Sequence, residues 1–174
     1  MMFATLYLPD FFLQAAMRHQ PELIAQPVAL IGDQDKKAVI LQLNVLAEEA
    51  GVRIGMTPSQ GLARTLALVI KVRSDAQEKI LQDILLHLAG TLSPYVEETA
   101  PGIATVQFTD MKKLGDKVAR VVAQLAASEI AAQAGIASTP DASFLAAHLA
   151  EPVLEIGDTR EFLAALPIEV LAIA

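Results

Sequence analysis

The sequence predicts an α+β fold. Strand and helix patterns follow one another along the chain, but paired strand patterns interrupt the alternation, which a doubly wound sheet would not show. Hydrophobic residues make up 53% of the 174 residues. That is enough for a sizeable core in one domain or two small ones, and it excludes a disordered chain. No segment recurs at the fixed spacing of repeat proteins.

Residues 3–8, Phe-Ala-Thr-Leu-Tyr-Leu, read as a buried strand. Pro9-Asp10 ends it, and a helix follows with Phe12, Ala15, Ala16 and His19 at helical spacing, running to near Pro21. Residues 27–31 and 38–43 form two apolar runs around the turn-rich segment 32–37, so they are expected to pair as a hairpin. Asn44 caps a short helix that Gly51 stops. Thr57, Pro58 and Gln60 form a capping box with Pro at the first helical position, and the helix they open carries Leu62 and Leu66. A strand is expected over 67–72.

Ser74 then caps a long helix with Ile80, Leu81, Ile84, Leu85 and Leu88 as its apolar stripe. Residues 95–100 and 103–108 read as a hairpin around Pro101-Gly102. L-Pro-Gly suits a type II turn, which fits hairpin twist poorly, so a loop of three to five residues is expected there. In the second arm Ile103, Thr105 and Gln107 face one way and Ala104, Val106 and Phe108 the other. A helix over 112–127 carries Leu114, Val118, Val121, Val122 and Leu125. An Ala-rich strand over 130–137, a helix over 141–150 and a short strand over 152–156 follow. Asp158 and Glu161 suggest a second capping box, opening a helix to Leu166. The chain is apolar to its last residue, as expected of a piece cut from a longer protein.

Net charge is −7, and the only dense basic groups are Lys36-Lys37 and Lys112-Lys113, which read as a solvated turn and a helix start. Binding of nucleic acid by bulk electrostatics is therefore excluded. Aromatic residues are 5% with no Trp, too few for a base-stacking platform. Cys is absent, which rules out disulfides and thiolate metal sites and is expected of a cytoplasmic protein. No apolar run reaches membrane-spanning length and no signal peptide is evident. His19, His87 and His148 lack metal-ligand spacing. There is no phosphate-binding glycine loop, no nucleophile elbow and no zinc-protease motif. Gly51 to Gly55 reads as a pair of turn glycines, His148 as a boundary histidine, and Phe11-Phe12 as core packing. The adjacent acids Glu48-Glu49 and Glu97-Glu98 do not face one another.

The order of several segments is more informative than any one of them. Tyr7-Leu8-Pro9-Asp10-Phe11-Phe12 resembles the opening of the Y-family DNA polymerases, where an Asp-x-Asp precedes two aromatics. Pro21-Glu22-Leu23 with Gln26 to Leu30, Asn44 to Ala47 with Gly51 to Met56, Ser93 to Glu97, Ala134 to Ala137, and Asp158 to Leu166 resemble further segments of that family, in order and at matching spacing. The resemblance implies a ferredoxin-like palm, an antiparallel sheet backed by helices, over residues 1–12 and 74–157. It implies a small α/β fingers lobe over 13–73 and the start of a thumb over 158–174.

The family's metal-binding acids fall on Leu8, Gly102 and Ile103, with Asp10 as the surviving acid. Its steric-gate aromatic falls on Leu13, its triphosphate-binding Tyr and Arg on Val45 and Glu48, and its Lys on Phe144. A hard Mg²⁺ ion needs carboxylate oxygens, and Glu48 would repel a triphosphate. The pattern resembles the ImuB-type branch, to which Gly135 through Pro140 also fits. The resemblance therefore implies a pseudo-enzyme in DNA repair and damage-induced translesion mutagenesis, a scaffold or accessory subunit with no cofactor. Its expected partners are a replicative-type error-prone polymerase, a sliding clamp or a recombinase, with DNA contacts mainly in regions outside this chain. Three alternatives stand beside it. One is an error-prone polymerase that uses other acids and Mg²⁺. The second is a module that binds a partner or ligand in the former nucleotide pocket at Leu8, Val45, Ile103 and Phe144. The third is an unrelated ferredoxin-like domain without contact between Leu8 and Gly102.

Overall fold

The computed structural model describes residues 1–33, 37–110 and 112–173. The centre of the expected 32–37 turn, with Lys36, and the terminal Ala174 lie outside them. In chain order the strands are β1 (Met2–Tyr7), β2 (Val28–Ile31), β3 (Ile40–Leu43), β4 (Val69–Val72), β5 (Val96–Ala100), β6 (Ile103–Phe108), β7 (Gln133–Ala137) and β8 (Val153–Glu155). The α-helices are α1 (Phe11–Met17), α2 (Val45–Glu49), α3 (Pro58–Arg64), α4 (Asp75–Gly90), α5 (Leu114–Ala127), α6 (Pro140–Leu149) and α7 (Thr159–Ala165). Short 3₁₀ segments occupy Pro21–Ala25 and Ile168–Ile173. The α+β expectation holds. No helix among the described residues is long and apolar enough to cross a membrane. Two compact units form, Met1–Pro9 with Gln82–Ala174, and Asp10–Leu81, so the division falls within α4.

The first unit holds a five-stranded sheet in the order β5-β6-β1-β7-β8. β1 runs antiparallel to both β6 and β7, while β8 joins β7 in parallel, Gly135 opposite Leu154. The expected all-antiparallel sheet is thus corrected at one edge, where α6 is the crossover that a parallel pairing needs. Ala4, Leu6, Ala104, Val106 and Ile136 are fully buried, which explains why near-continuous apolar runs mark these strands. α5 packs on β7 and β8 and buries Leu114, Val118, Val121, Val122 and Leu125, the stripe its periodicity predicts.

α6 lies directly on β7. A Cβ at Gly135 would overlap the backbone of Ser143 and Ala147, so only glycine permits this approach. Four hydroxyls link strands and helix on that face. Thr5 Oγ1 is 2.8 Å from Ser143 Oγ and 3.3 Å from Thr105 Oγ1, and Thr105 Oγ1 is 2.7 Å from Thr99 Oγ1. Ser143 also donates to the Pro140 carbonyl at 2.7 Å, so the buried polar atoms are mutually satisfied.

The second unit has a three-stranded sheet in the order β3-β2-β4, the expected β2–β3 hairpin plus a parallel β4. Ala29, Ile31, Ile40, Ala47, Val52 and Leu68 form one core cluster. Leu13, Ala16, Leu23, Val28 and Leu30 form another. The Thr57–Gln60 capping box is reciprocal, whereas Asp158 caps α7 from one side only, accepting from Arg160 and Glu161 N–H.

Other expectations shift. The helix after β1 ends at Met17, because a 3₁₀ turn starting at Pro21 takes over. α3 faces the core through Gly61, which lets Leu68 and Ile40 approach closely. Leu66 lies beyond its end and is 92% exposed. In α4 the buried stripe is Leu81, Leu85 and Ala89, and Ile80 points outward.

The β5–β6 connection is Pro101-Gly102 alone, shorter than expected. Gly102 has φ 76°, the value the third residue of a type II turn requires. The register shifts between Glu98 and Ala100, leaving Thr99 as an extra residue on β5. That bulge adds local twist and lets the turn close in two residues.

Candidate functional site

The end of β1 meets the β5–β6 turn in the first unit. Leu8 N–H donates to the Gly102 carbonyl at 2.8 Å, and Tyr7 pairs with Ile103. The juxtaposition of Leu8 with Gly102, whose absence would have marked an unrelated ferredoxin-like domain, is present. Gly102 N–H in turn donates to Gln82 Oε1 on α4 at 2.8 Å. Through its N–H and its carbonyl, Gly102 therefore ties α4, the turn and the end of β1 together. The Gly102 N–H fixes the Gln82 amide orientation, and the Gln82 Nε2 atom is buried without a partner.

The side chains at this crossing are apolar. Leu8 is fully buried and Ile103 is 7% exposed. Leu8 and Ile103, two of the four positions expected to line an apolar pocket, leave almost no surface for a ligand. Beside them three rings stack: Tyr7 on His148 with centroids 4.0 Å apart, and His148 on Phe144 at 4.4 Å. His148 Nδ1 donates to the Phe144 carbonyl at 2.9 Å, which sets the ring's orientation on α6. Phe144 thus belongs to a stack with Tyr7 and His148, and His148 is more than a boundary residue.

A metal at this crossing can be tested against its donors. Leu8, Gly102 and Ile103 offer no side-chain oxygen, and a Mg²⁺ ion takes oxygen ligands in octahedral geometry. The three positions do not fit the ion. Among the described residues, no three His, Cys, Asp or Glu converge as a metal site.

The remaining site positions belong to the second unit. Asp10 precedes α1 in the left-handed region, φ 48°, a conformation Asp tolerates better than most residues. It makes no side-chain cap, and its carbonyl accepts from Gln14 N–H at 2.9 Å. Desolvation pushes its carboxyl above the usual range, although the residue keeps an exposed surface. Leu13 is 3% exposed, packed in the core, and its N–H donates to Gln42 Oε1 at 2.8 Å.

Val45, 66% exposed, opens α2. Asn44 holds that helix start: its Oδ1 accepts from Ala47 N–H at 3.0 Å and Val28 N–H at 2.9 Å, while its Nδ2 donates to Gln26 O at 2.7 Å. Glu48 is exposed on the same helix, and its carbonyl accepts from Arg53 Nη1 at 2.6 Å. In this unit Arg73 forms a two-pronged pair with Glu78 at 2.8 and 2.7 Å. Its guanidinium lies 3.9 Å from the Phe12 ring centroid. The hydrogen bond to Glu78 holds the Arg73 guanidinium above its ordinary pKa.

Sequence reasoning missed Gln82, the ring stack and the Arg73 pair. Each joins residues far apart in the chain or across a turn. The one local signal was Gln82, a polar residue between the core-facing Leu81 and Leu85.

A sequence profile of the impB/mucB/samB family matches residues 6–148. The chain is 26% identical over 168 residues to a DNA polymerase IV of Protochlamydia amoebophila, covering 91% of this chain and 48% of that one. It is 25% identical over 169 residues to a DNA polymerase IV of Ralstonia nicotianae, covering 91% and 47%. The chain thus spans about half the length of these relatives. In fold it is similar to the insertion ternary complex of Dbh DNA polymerase, with TM-score 0.83 and 16% identity over 98% of this chain and 53% of that one. It is equally similar to DinB from Sulfolobus solfataricus, with TM-score 0.83 and 15% identity over the same shares.

These relatives match almost the whole chain and are named for an enzyme, which overturns the expectation of a pseudo-enzyme. Three side chains without oxygen show what those positions do not bind. They do not show that oxygen ligands are missing from the protein.

Proposed function

Because the chain belongs to the impB/mucB/samB family, whose profile spans residues 6–148, we propose that it is the palm-and-fingers part of a Y-family polymerase-like protein serving DNA damage tolerance. It acts in a mutagenesis assembly in the cytoplasm. Its partner there is a replicative-type error-prone polymerase, a sliding clamp or a recombinase. The palm comprises residues 1–12 and 74–157, the fingers 13–73, and the thumb begins at 158. The main DNA contacts are made outside this chain, in keeping with its net charge of −7. The observation that carries this reading is the Leu8–Gly102 hydrogen bond of 2.8 Å, which joins the strand end and the turn on which the family resemblance rests. Deleting the gene from its host and scoring mutations after ultraviolet damage tests it: damage-induced mutation is expected to fall. An unchanged frequency would sink the proposal.

A second reading is favoured by Asp10, whose partly desolvated carboxyl adjoins the β1 end in sequence. In this reading the full-length protein carries out nucleotidyl transfer with Asp10 as one acid and others outside the three apolar positions. Primer extension with Mg²⁺ or Mn²⁺ tests it, with incorporation expected to disappear in Asp10→Ala. Incorporation that survives this change rules out the role for Asp10.

A further inference from the structure

A cleft of about 550 Å³ lies between the C-terminal end of α4 and α5, within the first unit. Its floor is apolar, made by Leu88, Leu92 and Val121. Its rim is basic, made by His87 from α4 and by Lys117 and Arg120 from α5. On α5 the residues Lys117, Arg120 and Val121 lie three and four positions apart, so they share one helical face.

The rim is unusual for this chain. The protein carries net charge −7, yet no carboxylate lines the cleft. Among the described residues, Lys117 and Arg120 form no ion pair with a carboxylate. Lys117 is also partly buried against the cleft. A partly buried cation without a counter-charge costs more than an exposed one. An external carboxylate would relieve that cost.

The volume falls within the range of about 300–1,000 Å³ typical of binding clefts. A groove between two helices is the shape into which a third helix packs, ridge into groove. We propose that this cleft is a docking groove for a short amphipathic helix of a partner protein. The apolar face of that helix rests on the half-buried Leu88 and Leu92 above the buried Val121, and acidic residues along its flank meet Lys117, Arg120 and His87.

The chemistry disfavours the other occupants. Single-stranded nucleic acid needs stacking aromatics and a track of cations, and the cleft has an aliphatic floor and two permanent charges. A second copy pairing symmetrically through this face would set its basic rim against the same rim.

The test is a displayed library of random peptides selected on the full-length protein, with parallel selection on Lys117→Glu/Arg120→Glu. Arg120 is exposed and Lys117 half-buried, so circular dichroism checks that the variant folds. The expected peptides combine apolar residues at helical spacing with Asp and Glu on one flank. A labelled synthetic copy binds the unchanged protein at least about tenfold more tightly than the variant. Its affinity falls as salt rises through the range where the screening length drops to about 8 Å. Peptides without acidic enrichment, or affinity unchanged in the variant, would overturn the proposal. So would a single-stranded DNA complex, or a dimer, that the same double substitution abolishes.

Discussion

Gln82 Oε1 accepts the Gly102 N–H at 2.8 Å, and the Gly102 carbonyl accepts the Leu8 N–H at 2.8 Å. A side chain from α4 thereby holds the turn that meets the end of β1. Because Gly102 is buried, its N–H has no water to fall back on.

Gln82→Met removes the acceptor while keeping much of the volume. The orphaned amide is expected to cost about 1–3 kcal/mol. Hydrogen exchange reads this locally: the Gly102 amide should exchange at least about tenfold faster relative to Val106 in the same sheet. Equal exchange in both proteins would show that Gln82 does not protect the turn.

Gly135→Ala meets backbone atoms of Ser143 and Ala147, not the yielding end of a flexible side chain. Either α6 lifts from β7 or the strand moves. A loss of about 3 kcal/mol or more is expected, read as a lower urea midpoint. A loss below about 1 kcal/mol would mean that helix and strand are not held as closely as described.

Thr5→Val keeps the shape and deletes the hydroxyl at the middle of the network. Ser143 retains the Pro140 carbonyl and Thr105 retains Thr99, so no neighbour is left without a partner. The expected cost is therefore modest, about 1 kcal/mol. Thr5→Val combined with Ser143→Ala should cost less than the sum of the two single changes, as measured in a double-mutant cycle.

Asp10→Asn separates charge from backbone, since Asn also accepts the left-handed conformation. The Asp10 carboxyl has its pKa raised in the folded protein. Its stabilising contribution is thus fully present below the ordinary value of about 3.9 and is lost as pH rises through the raised one. Asn cannot ionise, so the variant should be the more stable protein at neutral pH, with the difference closing in acid. The residue keeps exposed surface, which limits the effect to a few tenths of a kcal/mol. A gap that widens in acid would reverse the assigned direction.

Much of the fold was legible because local signals and burial agree. Asn44 and Thr57 are caps whose side chains reach the expected amides. The apolar stripe of α5 is buried as its periodicity requires. What escaped were relations without a local signature. The bulge at Thr99, which permits a two-residue turn, depends on pairing with β6. Gly61 reads as a weak helix residue until Leu68 and Ile40 are seen pressed against it.

At the site, the meeting of Leu8 with Gly102 could be anticipated from the order of segments. The stacking of Tyr7, His148 and Phe144 could not, since it joins residues from β1 and α6. The step from three missing carboxylates to a missing activity failed for a different reason: side chains at named positions define local chemistry, not the capacity of a whole protein.

The bond between Leu8 and Gly102 runs from backbone to backbone, so the crossing is indifferent to which side chains it carries. Burial is not indifferent. Leu8 has no exposed surface, and a carboxylate placed there alone would be desolvated without a partner, at a cost of several kcal/mol. An apolar residue is accommodated here alone, whereas an acid would need a compensating partner introduced beside it. The crossing thus filters what its side chains can be: apolar residues are admitted singly, and a charge only together with a partner.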